Sequence, residues 1–548
     1  MRRWIVLAVA LVLAVGQFAG AGPARGQETA PQQLRAYWVD AFGDDLWTEQ
    51  GIDRLVADSK AANLNAIVAQ VGRRGDCFCN LASMPRTRQA GVTPAPFEPL
   101  QYLIDRAHAQ GIQVHAWIIT TAIWNSLTAP TDPAHVFNTH GPSKENDENW
   151  LMRRYDDVTR AGSDYLLDPG HPAAAAYIAE MYLSVIRNYD VDGVNFDRVR
   201  YPDFTTIPGY TQASVWGYNP VAVARFRAAT GRTDRPVPTD AQWQQWRRDQ
   251  VTSIVRKVYA EAYALKPRVR VSADTITYGY GPATQGGWTS TRTYSEVLQD
   301  WRGWMEEGIL DLNIPMNYKR EHLTTEPNNQ RRMYLEWNEF AFDNQYRRQT
   351  AIGSAIYLNY IEGSAAQVRK AFVPSAAGNA GVGWVGYSYG TPDCLSPRAV
   401  PCASTDTRRS AEASRAELTR ALTRPSEYDP QTLLVPPVQP VFWSPAAVPG
   451  MPWKDAPTTG HLRGTVTDDR GAPIDQVRVD VYDAETEAFV ATKLTDGRGW
   501  FAFVDLAPGR YKAIADRKVV YQRRIALATV SAGALATVSI TALRVADR

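Results

Sequence analysis

The sequence predicts an α/β protein in two parts, a (β/α)8 barrel of the TIM type followed by a small all-β sandwich. Three observations support this prediction. The 548 residues exceed the size at which a single hydrophobic core usually stops growing. Up to about residue 423, short apolar runs alternate with helical stretches, and eight such runs occur. Beyond residue 458, apolar residues alternate with polar ones, as in half-buried strands.

Eight short apolar runs are predicted to form the strands of the barrel. They do not alternate strictly, as expected for strands that are buried on both faces. The runs cover residues 35–40, 66–71, 113–120, 193–196, 269–273, 310–316, 355–359 and 381–387. Helices are predicted between them at residues 51–62, 100–110, 172–189, 240–265 and 364–372. A doubly wound sheet is the competing fold, but the Gly-rich nucleotide turn that such folds carry does not follow the first run.

The chain is predicted to divide into four segments. Residues 1–26 have the features of a signal peptide, with two arginines before a short apolar run and small residues after it. A retained N-terminal anchor is the alternative. The barrel covers residues 34–423, and residues 424–458 form a Pro-rich linker. Residues 459–548 are predicted to form an antiparallel sandwich of about seven strands.

The composition of the chain indicates which kinds of binding partner are expected. The formal net charge is +2, so no basic excess points to nucleic acid. After the first apolar run, no segment is apolar enough to span a membrane. The 17 Trp and 26 Tyr residues suit stacking on sugar rings, although a large barrel core also uses aromatic residues. The sequence gives no reason to invoke a cofactor, and it leaves the oligomeric state open.

The four cysteines are predicted to form disulfides, because their number is even and the chain carries an export signal. Cys394 and Cys402 lie in one loop and can pair locally. A bridge between Cys77 and Cys79 is geometrically tight, so cross-pairing between the two loops is the alternative. The spacing lacks the pattern of a zinc site, and no metal is predicted.

The fourth predicted strand carries the first catalytic candidate. Active sites of such barrels lie at the carboxyl ends of the strands. Asp197 closes this strand in the segment Y-D-V-D-G-V-N-F-D-R-V-R-Y-P, residues 189–202, where a carboxylate can reach a bound sugar. Arg198 and Arg200 follow, and either can hold Asp197 ionised or bind an anionic group of the substrate. The alternative is an Asp–Arg pair that only ties a loop.

Short motifs in a fixed order extend over residues 34–390. Besides the strand-four segment they are R-A-Y-W-V-D (35–40), H-A-W (115–117), L-L-D-P-G-H-P (166–172), G-Y-N-P (217–220), W-Q-Q-W-R-R (243–248), Q-D-W (299–301), I-P-M-N-Y (314–318) and G-V-G-W-V-G-Y-S-Y-G (381–390). In these motifs the chain resembles glycoside-hydrolase-like family ten, a group of bacterial exported barrels. The resemblance implies a barrel that acts on glycosidic bonds. Some members are thought to cut peptidoglycan glycan strands that lack stem peptides.

The C-terminal segment carries a second resemblance. Residues 495–511 read T-D-G-R-G-W-F-A-F-V-D-L-A-P-G-R-Y. This pattern resembles the carboxypeptidase-regulatory or prealbumin-like module, a small β-sandwich. The resemblance implies the fold and gives no information about function.

Hydrolysis of a glycosidic bond normally uses two carboxyl groups, one protonated and one ionised. Asp274, at the end of the fifth predicted strand, is the preferred partner of Asp197. Neighbouring strand ends can place two carboxyls within the roughly 5–9 Å that the chemistry uses. A loop cap is the alternative role for Asp274. Many relatives carry Ser-Pro at this strand end, where this chain reads S-A-D-T-I-T-Y-G (272–279), so the resemblance does not identify the second carboxyl. Glu321 is the reserve.

Nine further side chains that lie on the strands or in the loops after them are predicted to contact the substrate. They are Asp40, His115, Arg198, Arg200, Tyr201, Asn317, Tyr318, Glu321 and Tyr387. For His115, a satisfied core histidine is the alternative. Trp38, Trp117 and Trp384 are predicted either to form a sugar platform or to fill the barrel.

These observations together predict a secreted, periplasmic or cell-surface bacterial glycoside hydrolase. Its substrate is a polysaccharide, with peptidoglycan glycan strands as one candidate. A non-catalytic carbohydrate-binding scaffold of the cell wall is the alternative from another class, and a transglycosylase or lyase on the same barrel is a third.

Overall fold

The computed structural model describes residues 31–203, 207–210, 213–425, 440–516 and 525–541. The predicted signal peptide, residues 1–26, lies outside these ranges. Up to residue 425 the described strands are β1 Leu34–Val39, β2 Ala66–Gly72, β3 Gln113–Ile119, β4 Ala122–Trp124, β5 Arg160–Ala161, β6 Asp164–Leu166, β7 Gly193–Asp197, β8 Arg270–Ile276, β9 Leu312–Met316, β10 Gln349–Ala355 and β11 Gly383–Tyr387. The later strands belong to the second domain.

Helices connect the barrel strands along the chain. They are α1 Glu49–Ala61, α2 Pro99–His108, α3 Val136–His140, α4 Pro172–Asn188, α5 Pro220–Thr230, α6 Ala241–Leu265, α7 Arg292–Ser295, α8 Trp301–Glu307, α9 Gln330–Asp343, α10 Ile361–Lys370 and α11 Ala411–Thr423. The predicted start of a helix at residue 172 is confirmed, because His171 caps α4 and Pro172 occupies its first turn.

Eight strands close into a parallel barrel in the order β1-β11-β10-β9-β8-β7-β3-β2, which confirms the predicted fold. Alternate residues of each strand point inward, and the remainder face the helices. On β1, Leu34, Ala36 and Trp38 belong to the inner cluster, whereas Tyr37 and Val39 pack in the outer one. The strands read as nearly continuous apolar runs because both faces are buried.

The seventh barrel strand differs from its prediction at residues 355–359. The observed strand β10 is Gln349–Ala355, and the run Ile356–Leu358 forms a 3₁₀ turn at its carboxyl end. The strand was missed because Thr, Gly and Ser occupy much of it. Small residues are needed there, since a Cβ at Gly353 would lie 2.3 Å from the Trp38 ring. The apolar run that was predicted as the strand instead lies at the barrel mouth.

A small antiparallel sheet, in the order β4-β6-β5, stands in the connection between β3 and α4. It joins the barrel mouth through backbone hydrogen bonds. The Thr120 N–H donates to the Asp197 carbonyl, and the Leu167 N–H donates to the Thr121 carbonyl. This insertion therefore forms one wall beside the carboxyl end of β7.

Residues 440–458, the described part of the predicted linker, pack against the amino-terminal ends of the barrel strands. They include the short helix α12 Pro452–Asp455. Arg270, the first residue of β8, donates to the Pro449 carbonyl at 2.7 Å. The Lys454 ammonium lies 2.6 Å from the Asp311 carboxylate just before β9, and both side chains are fully buried. This segment is therefore a fixed floor of the barrel and not a free spacer.

The second domain contains seven strands among the described residues, as predicted. They are β12 Gly460–Thr467, β13 Arg478–Asp483, β14 Phe489–Leu494, β15 Trp500–Leu506, β16 Gly509–Ala515, β17 Ile525–Val530 and β18 Leu535–Thr541. One sheet has the order β15-β12-β18 and the other β14-β13-β16-β17. Their inner faces share one apolar cluster, so the domain has a core of its own.

The sandwich contacts helix α6 of the barrel. Lys257 forms an ion pair with Asp496 at 2.8 Å, and the Trp500 indole N–H donates to Glu261 at 2.9 Å. Ala260 and Trp500 are buried against each other with Ala502. Apolar burial and charged pairs therefore hold the two domains together.

Two disulfides connect the cysteines locally, Cys77 with Cys79 and Cys394 with Cys402. The cross-pairing between the two loops is therefore excluded. The Cα atoms lie 5.0 Å apart in the first bridge and 5.6 Å in the second. Within the part of the chain that the structure describes, no helix is long and apolar enough to cross a membrane.

Candidate active site

Asp197 lies at the carboxyl end of β7, in the mouth of the barrel. Its Oδ2 accepts the indole N–H of Trp117 at 3.1 Å, and its Oδ1 accepts the backbone N–H of Arg198 at 2.6 Å. A guanidinium nitrogen of Arg200 lies 3.9 Å from Oδ1. Each carboxyl oxygen therefore accepts an N–H bond, which is the hydrogen-bonding role of a carboxylate.

Asp274 lies on β8, the neighbour of β7 in the barrel. Asn195 of β7 donates from Nδ2 to Asp274 Oδ1 at 3.1 Å and to the Ser272 hydroxyl at 3.0 Å. Burial raises the pKa of Asp274 well above its ordinary value, and the negative charge of Asp197 raises that pKa further. The Asn195 bond and the Arg200 charge act in the opposite direction. Asp274 therefore holds its proton more tightly than an ordinary aspartic acid.

An aromatic layer surrounds the two aspartates. The rings of Tyr318 and Tyr387 stack with centroids 5.6 Å apart, and Trp38 meets both edge-on at 6.2 Å. Trp117 and Tyr357 also meet Tyr387 edge-on, at 6.1 and 5.7 Å. The tyrosines are partly exposed, whereas Trp38 and Trp117 are only 1% and 4% exposed. The tryptophans therefore fill the barrel, and the tyrosines form part of the exposed surface of the mouth.

Asp40 forms the opposite wall, after β1. Its Oδ2 accepts the Ser388 hydroxyl at 2.8 Å, and an Arg398 nitrogen lies 3.3 Å from its Oδ1. A cis peptide bond joins Tyr387 to Ser388. Burial raises the pKa of Tyr387, and the charges of Asp40 and Asp197 raise it further. The hydroxyl of Tyr387 therefore stays neutral near the carboxylates of Asp40 and Asp197.

A narrow recess of about 60 Å³ opens beside Asp197, and its charged lining residues include Asp164, Arg198 and Arg200. Six neighbours of these residues in β5, β6 and the loops after β3 and β7 complete the lining, namely Thr121, Ala161, Leu166, Tyr201, Pro202 and Asp203. Arg198 forms an ion pair with Asp164 at 2.5 Å, and Arg74 approaches the same carboxylate at 3.4 Å. Arg200 Nη1 is buried without a hydrogen-bond partner among the described residues. This side of the mouth therefore places the guanidinium groups of Arg74, Arg198 and Arg200 among three carboxylates, those of Asp164, Asp197 and Asp203.

Lys319 follows β9 and is almost fully buried. Its ammonium donates to the Thr277 carbonyl, just beyond β8, at 2.7 Å. Burial lowers the pKa of Lys319 to about 7. The loops after β8 and β9 therefore contain a cation whose charge changes close to neutral pH.

His115 lies at the other end of the barrel from Asp197. It is in register with Gly193, the first residue of β7, and a Cβ at Gly193 would lie 2.8 Å from His115 Nδ1. Burial, together with the charge of Arg270, lowers the pKa of His115 to about 4. The predicted substrate contact does not fit this position, and the alternative of a core histidine does.

Three other predicted contacts point away from the aspartates. Asn317 donates to the Tyr334 carbonyl and to Asn338 on helix α9. Tyr201 belongs to the lining of the recess, but it is fully buried and its ring packs beneath the Arg247 guanidinium, 5.7 Å from the ring centroid.

Glu321 is the third of these residues. It forms ion pairs with Arg331 of α9, at 2.9 Å, and with Lys370 of α10. Its carboxylate thus connects two helices behind β9. These ion pairs give Glu321 a structural role. We therefore no longer consider it as the second catalytic carboxyl.

Several residues at the mouth were not predicted from the sequence. Tyr357 was assigned to a strand, and Asp164 lies in the inserted sheet, for which no pattern was identified. Arg73 and Arg74 directly follow β2 at its carboxyl end. The rule that barrel sites lie at strand ends, applied to the second strand, is the signal that would have found this pair.

The comparison with protein families decides the assignment of the barrel. The family described as Glycosyl hydrolase-like 10 matches residues 33–342, more than half of the chain. The chain belongs to this family. The family described as Carboxypeptidase regulatory-like domain matches residues 461–543 and covers the sandwich. Both resemblances drawn from the sequence motifs are thereby confirmed.

Two proteins that are similar to this chain are also named glycosyl hydrolases. Glycosyl hydrolase YngK of Bacillus subtilis is 24% identical over 342 residues, which cover 56% of this chain and 58% of the relative. Glycosyl hydrolase DigH of Escherichia coli K12 is 27% identical over 271 residues, which cover 46% of this chain and 54% of the relative. The chain thus spans little more than half the length of these relatives.

Solved structures of low sequence identity also align with the chain. The glycoside hydrolase domain of PgaB from Bordetella bronchiseptica has a TM-score of 0.44 and 13% identity, and the alignment covers 70% of this chain and 98% of that one. The catalytic domain of a Paenibacillus polymyxa beta-amylase has a TM-score of 0.45 and 12% identity, with 66% and 93% covered.

Proposed function

We propose that this protein hydrolyses O-glycosidic bonds of a polysaccharide with Asp274 as general acid and Asp197 as the ionised partner. The observation that carries the proposal is the raised pKa of Asp274 beside Asp197 on neighbouring strands of the barrel mouth. Two carboxyls whose environments differ in this way are the usual apparatus of glycoside hydrolysis. The family membership of the chain agrees with that chemistry.

In the proposed reaction, the Asp274 proton moves to the oxygen of the scissile glycosidic bond. The bond between that oxygen and the anomeric carbon breaks, and the leaving sugar departs as an alcohol. Asp197 stabilises the positive charge that develops at the anomeric carbon. Water supplies hydroxide to this carbon, and its remaining proton restores Asp274. One water molecule is consumed for each bond cut, and no redox partner is required.

Peptidoglycan glycan strands are the substrate that we propose first. Every muramic acid residue of such a strand carries a carboxylate once the stem peptide is removed. Arg198 and Arg200 line the recess beside Asp197, and a guanidinium pairs well with a carboxylate. The partly exposed Tyr318 and Tyr387 supply flat surfaces for sugar rings.

We further propose that the protein is exported, to the periplasm, the cell surface or the medium. The charged and apolar pattern of residues 1–26 supports export. The two disulfides suit an oxidising compartment. Sequencing the N-terminus of the protein recovered from cell fractions tests this proposal. A new N-terminus near residue 27 in an extracytoplasmic fraction is expected, and an uncleaved chain in the cytoplasm would contradict it.

A reducing-end assay on a panel of bacterial glycans, including peptide-free peptidoglycan strands, tests the reaction. Wild-type protein is compared with Asp197→Asn, Asp274→Asn and the surface control Asp105→Asn. We expect release by the wild type and the control, and a loss of about a hundredfold or more in both site variants. Full activity in either site variant would contradict its assigned role.

Two further outcomes separate the competing functions. Binding of a glycan without release of product would favour the non-catalytic scaffold. Product formed without incorporation of labelled oxygen from water would favour a lyase or transglycosylase. Incorporation of one oxygen for each bond cut is the result that hydrolysis requires.

A further inference from the structure

A second cleft of about 250 Å³ lies beside the mouth, between the loop that follows β2 and the segment that begins at β4. Its lining combines an aromatic ring with planar polar side chains, and the principal members are Arg73, Arg88, Gln89, Trp124, Asp132 and His135. None of these residues belongs to the site that contains Asp197 and Asp274.

The second cleft adjoins the recess beside Asp197, because consecutive residues of the chain reach into each. Arg73 lines the second cleft, and the next residue, Arg74, reaches Asp164 in the lining of the first at 3.4 Å. On the other side, His135 of the second cleft contacts the Arg74 carbonyl at 2.9 Å. The two depressions are therefore consecutive along the surface, and an extended ligand can occupy both.

The aromatic ring of the second cleft is fixed in position. Trp124 is only partly buried, and its indole N–H donates to the Thr128 carbonyl at 2.8 Å. His135 packs edge-on against the ring with centroids 5.4 Å apart, and Phe137 packs at 6.2 Å. An aromatic face held in this way binds a ring without a large loss of side-chain entropy.

The polar groups around the ring suit the hydroxyls and charged substituents of a sugar. Both terminal nitrogens of Arg73 lie 3.2 Å from Gln89 Oε1, and Arg73 Nε is buried without a hydrogen-bond partner among the described residues. Arg88 pairs with Asp132 at 3.0 Å, and more than half of its side chain is exposed. Planar donors and acceptors beside a flat ring are the usual elements of a small-molecule site.

The loop that carries these groups is held by internal bonds. The Cys77–Cys79 disulfide lies at its base, and the Cys77 backbone exchanges hydrogen bonds with Pro85 and Thr87. Arg86 donates to the Thr93 carbonyl at 2.6 Å and to the Phe97 carbonyl at 2.8 Å. The second cleft is therefore formed before any ligand arrives, which lowers the entropic cost of binding.

We propose that this second cleft is a remote sugar-binding subsite, which binds a part of the polysaccharide other than the sugars at the aspartates and makes the enzyme prefer long chains. The proposal rests on the glycosidase function proposed above. Binding energy gained at a remote subsite favours cleavage of substrates long enough to reach it. An enzyme with such a subsite cuts within chains more readily than it cuts short fragments.

The test compares Trp124→Ala and Arg88→Ala with the control Leu127→Ala. Leu127 lies in the same loop, is 77% exposed and does not line the cleft. The substrates are peptide-free peptidoglycan strands and the tetrasaccharide prepared from them. For the strands, we expect kcat/KM to fall about tenfold in each variant, a loss of about 1.4 kcal/mol in transition-state stabilisation. For the tetrasaccharide it should fall less than twofold. The control should match the wild type with both.

Direct binding completes the test. Calorimetric titration of the Asp274→Asn protein with the strands, with and without Trp124→Ala, measures the subsite without turnover. About tenfold weaker binding of the strands, with unchanged binding of the tetrasaccharide, supports the proposal. Equal effects on both lengths, or no effect on either, would overturn it. Absence of activity in the wild type, with the length-dependent binding retained, would instead count against the hydrolase assignment alone.

Discussion

The indole N–H of Trp117 donates to Oδ2 of Asp197 across 3.1 Å and joins β3 to β7 at the mouth of the barrel. Hydrogen bonds to charged groups contribute about 1.5–3 kcal/mol. Trp117→Phe keeps an aromatic ring and removes the donor, so we expect kcat to fall about tenfold to a hundredfold. Steady-state kinetics measure this effect. Trp384→Phe is the control, because its buried indole N–H has no partner among the described residues. Equal losses in both variants would indicate packing and contradict the prediction.

Asp274→Asn is expected to stabilise the fold at neutral pH while it abolishes activity. The folded-state pKa of Asp274 is raised, so between about pH 4 and that pKa the native state binds more protons than the unfolded state. Wild-type stability therefore falls as pH rises through this window, by up to about 1.4 kcal/mol per pH unit from this group. The variant does not lose stability in this way, because asparagine does not ionise. Urea unfolding at several pH values should show its advantage growing with pH, and a constant difference would refute the account.

Protonation of His171 is expected to lower the free energy of unfolding in acid. Its ring accepts the Ala174 N–H at the start of α4, and burial lowers its pKa to about 4. A depressed histidine pKa contributes stability above about pH 6.5, and this stability is lost as pH falls towards 4. His171→Asn keeps a capping side chain and removes the titration. The free energy of unfolding of the variant should therefore fall less steeply between about pH 6.5 and 4 than that of the wild type, and identical slopes would contradict the assignment.

Lys454→Met is expected to destabilise the protein by about 3–5 kcal/mol, because the fully buried Asp311 then loses its charged partner. Chemical denaturation measures the loss. Lys454→Met combined with Asp311→Asn removes both charges, and it should recover part of the stability. If the single variant unfolds like the wild type, the floor segment does not contribute to the stability of the barrel.

The barrel was predictable because its strands are buried on both faces and so read as apolar runs. β10 is the exception, and its cause is local. The ring of Trp38 occupies the space beside Gly353, so the strand needs small residues and loses its apolar signature. Hydrophobic periodicity does not reveal such a requirement, because the requirement arises from a contact between β1 and β10, two strands that are distant in the sequence.

The placement of Asp197 and Asp274 on neighbouring strands could be predicted because chain order places the ends of β7 and β8 side by side. The supporting residues could not be predicted in the same way. Asn195 was not predicted as a site residue, because its bond to Asp274 depends on the register of two strands. The place of His115 near the amino-terminal end of its strand could be read from the predicted run, residues 113–120, in which it is the third residue.

Residues 440–458 have the composition of a spacer but the contacts of a barrel segment. The boundary at which the two modules can be exchanged therefore lies after Asp455 and not at residue 424. A gene fusion made at the earlier point would leave the amino-terminal end of the barrel uncovered and Asp311 without its cation. A junction at the later point would keep the amino-terminal end of the barrel covered and the Lys454–Asp311 pair intact. The floor segment thus belongs to the barrel module, although a barrel separated after Asp455 would still lose its contacts with the sandwich, such as Lys257 with Asp496.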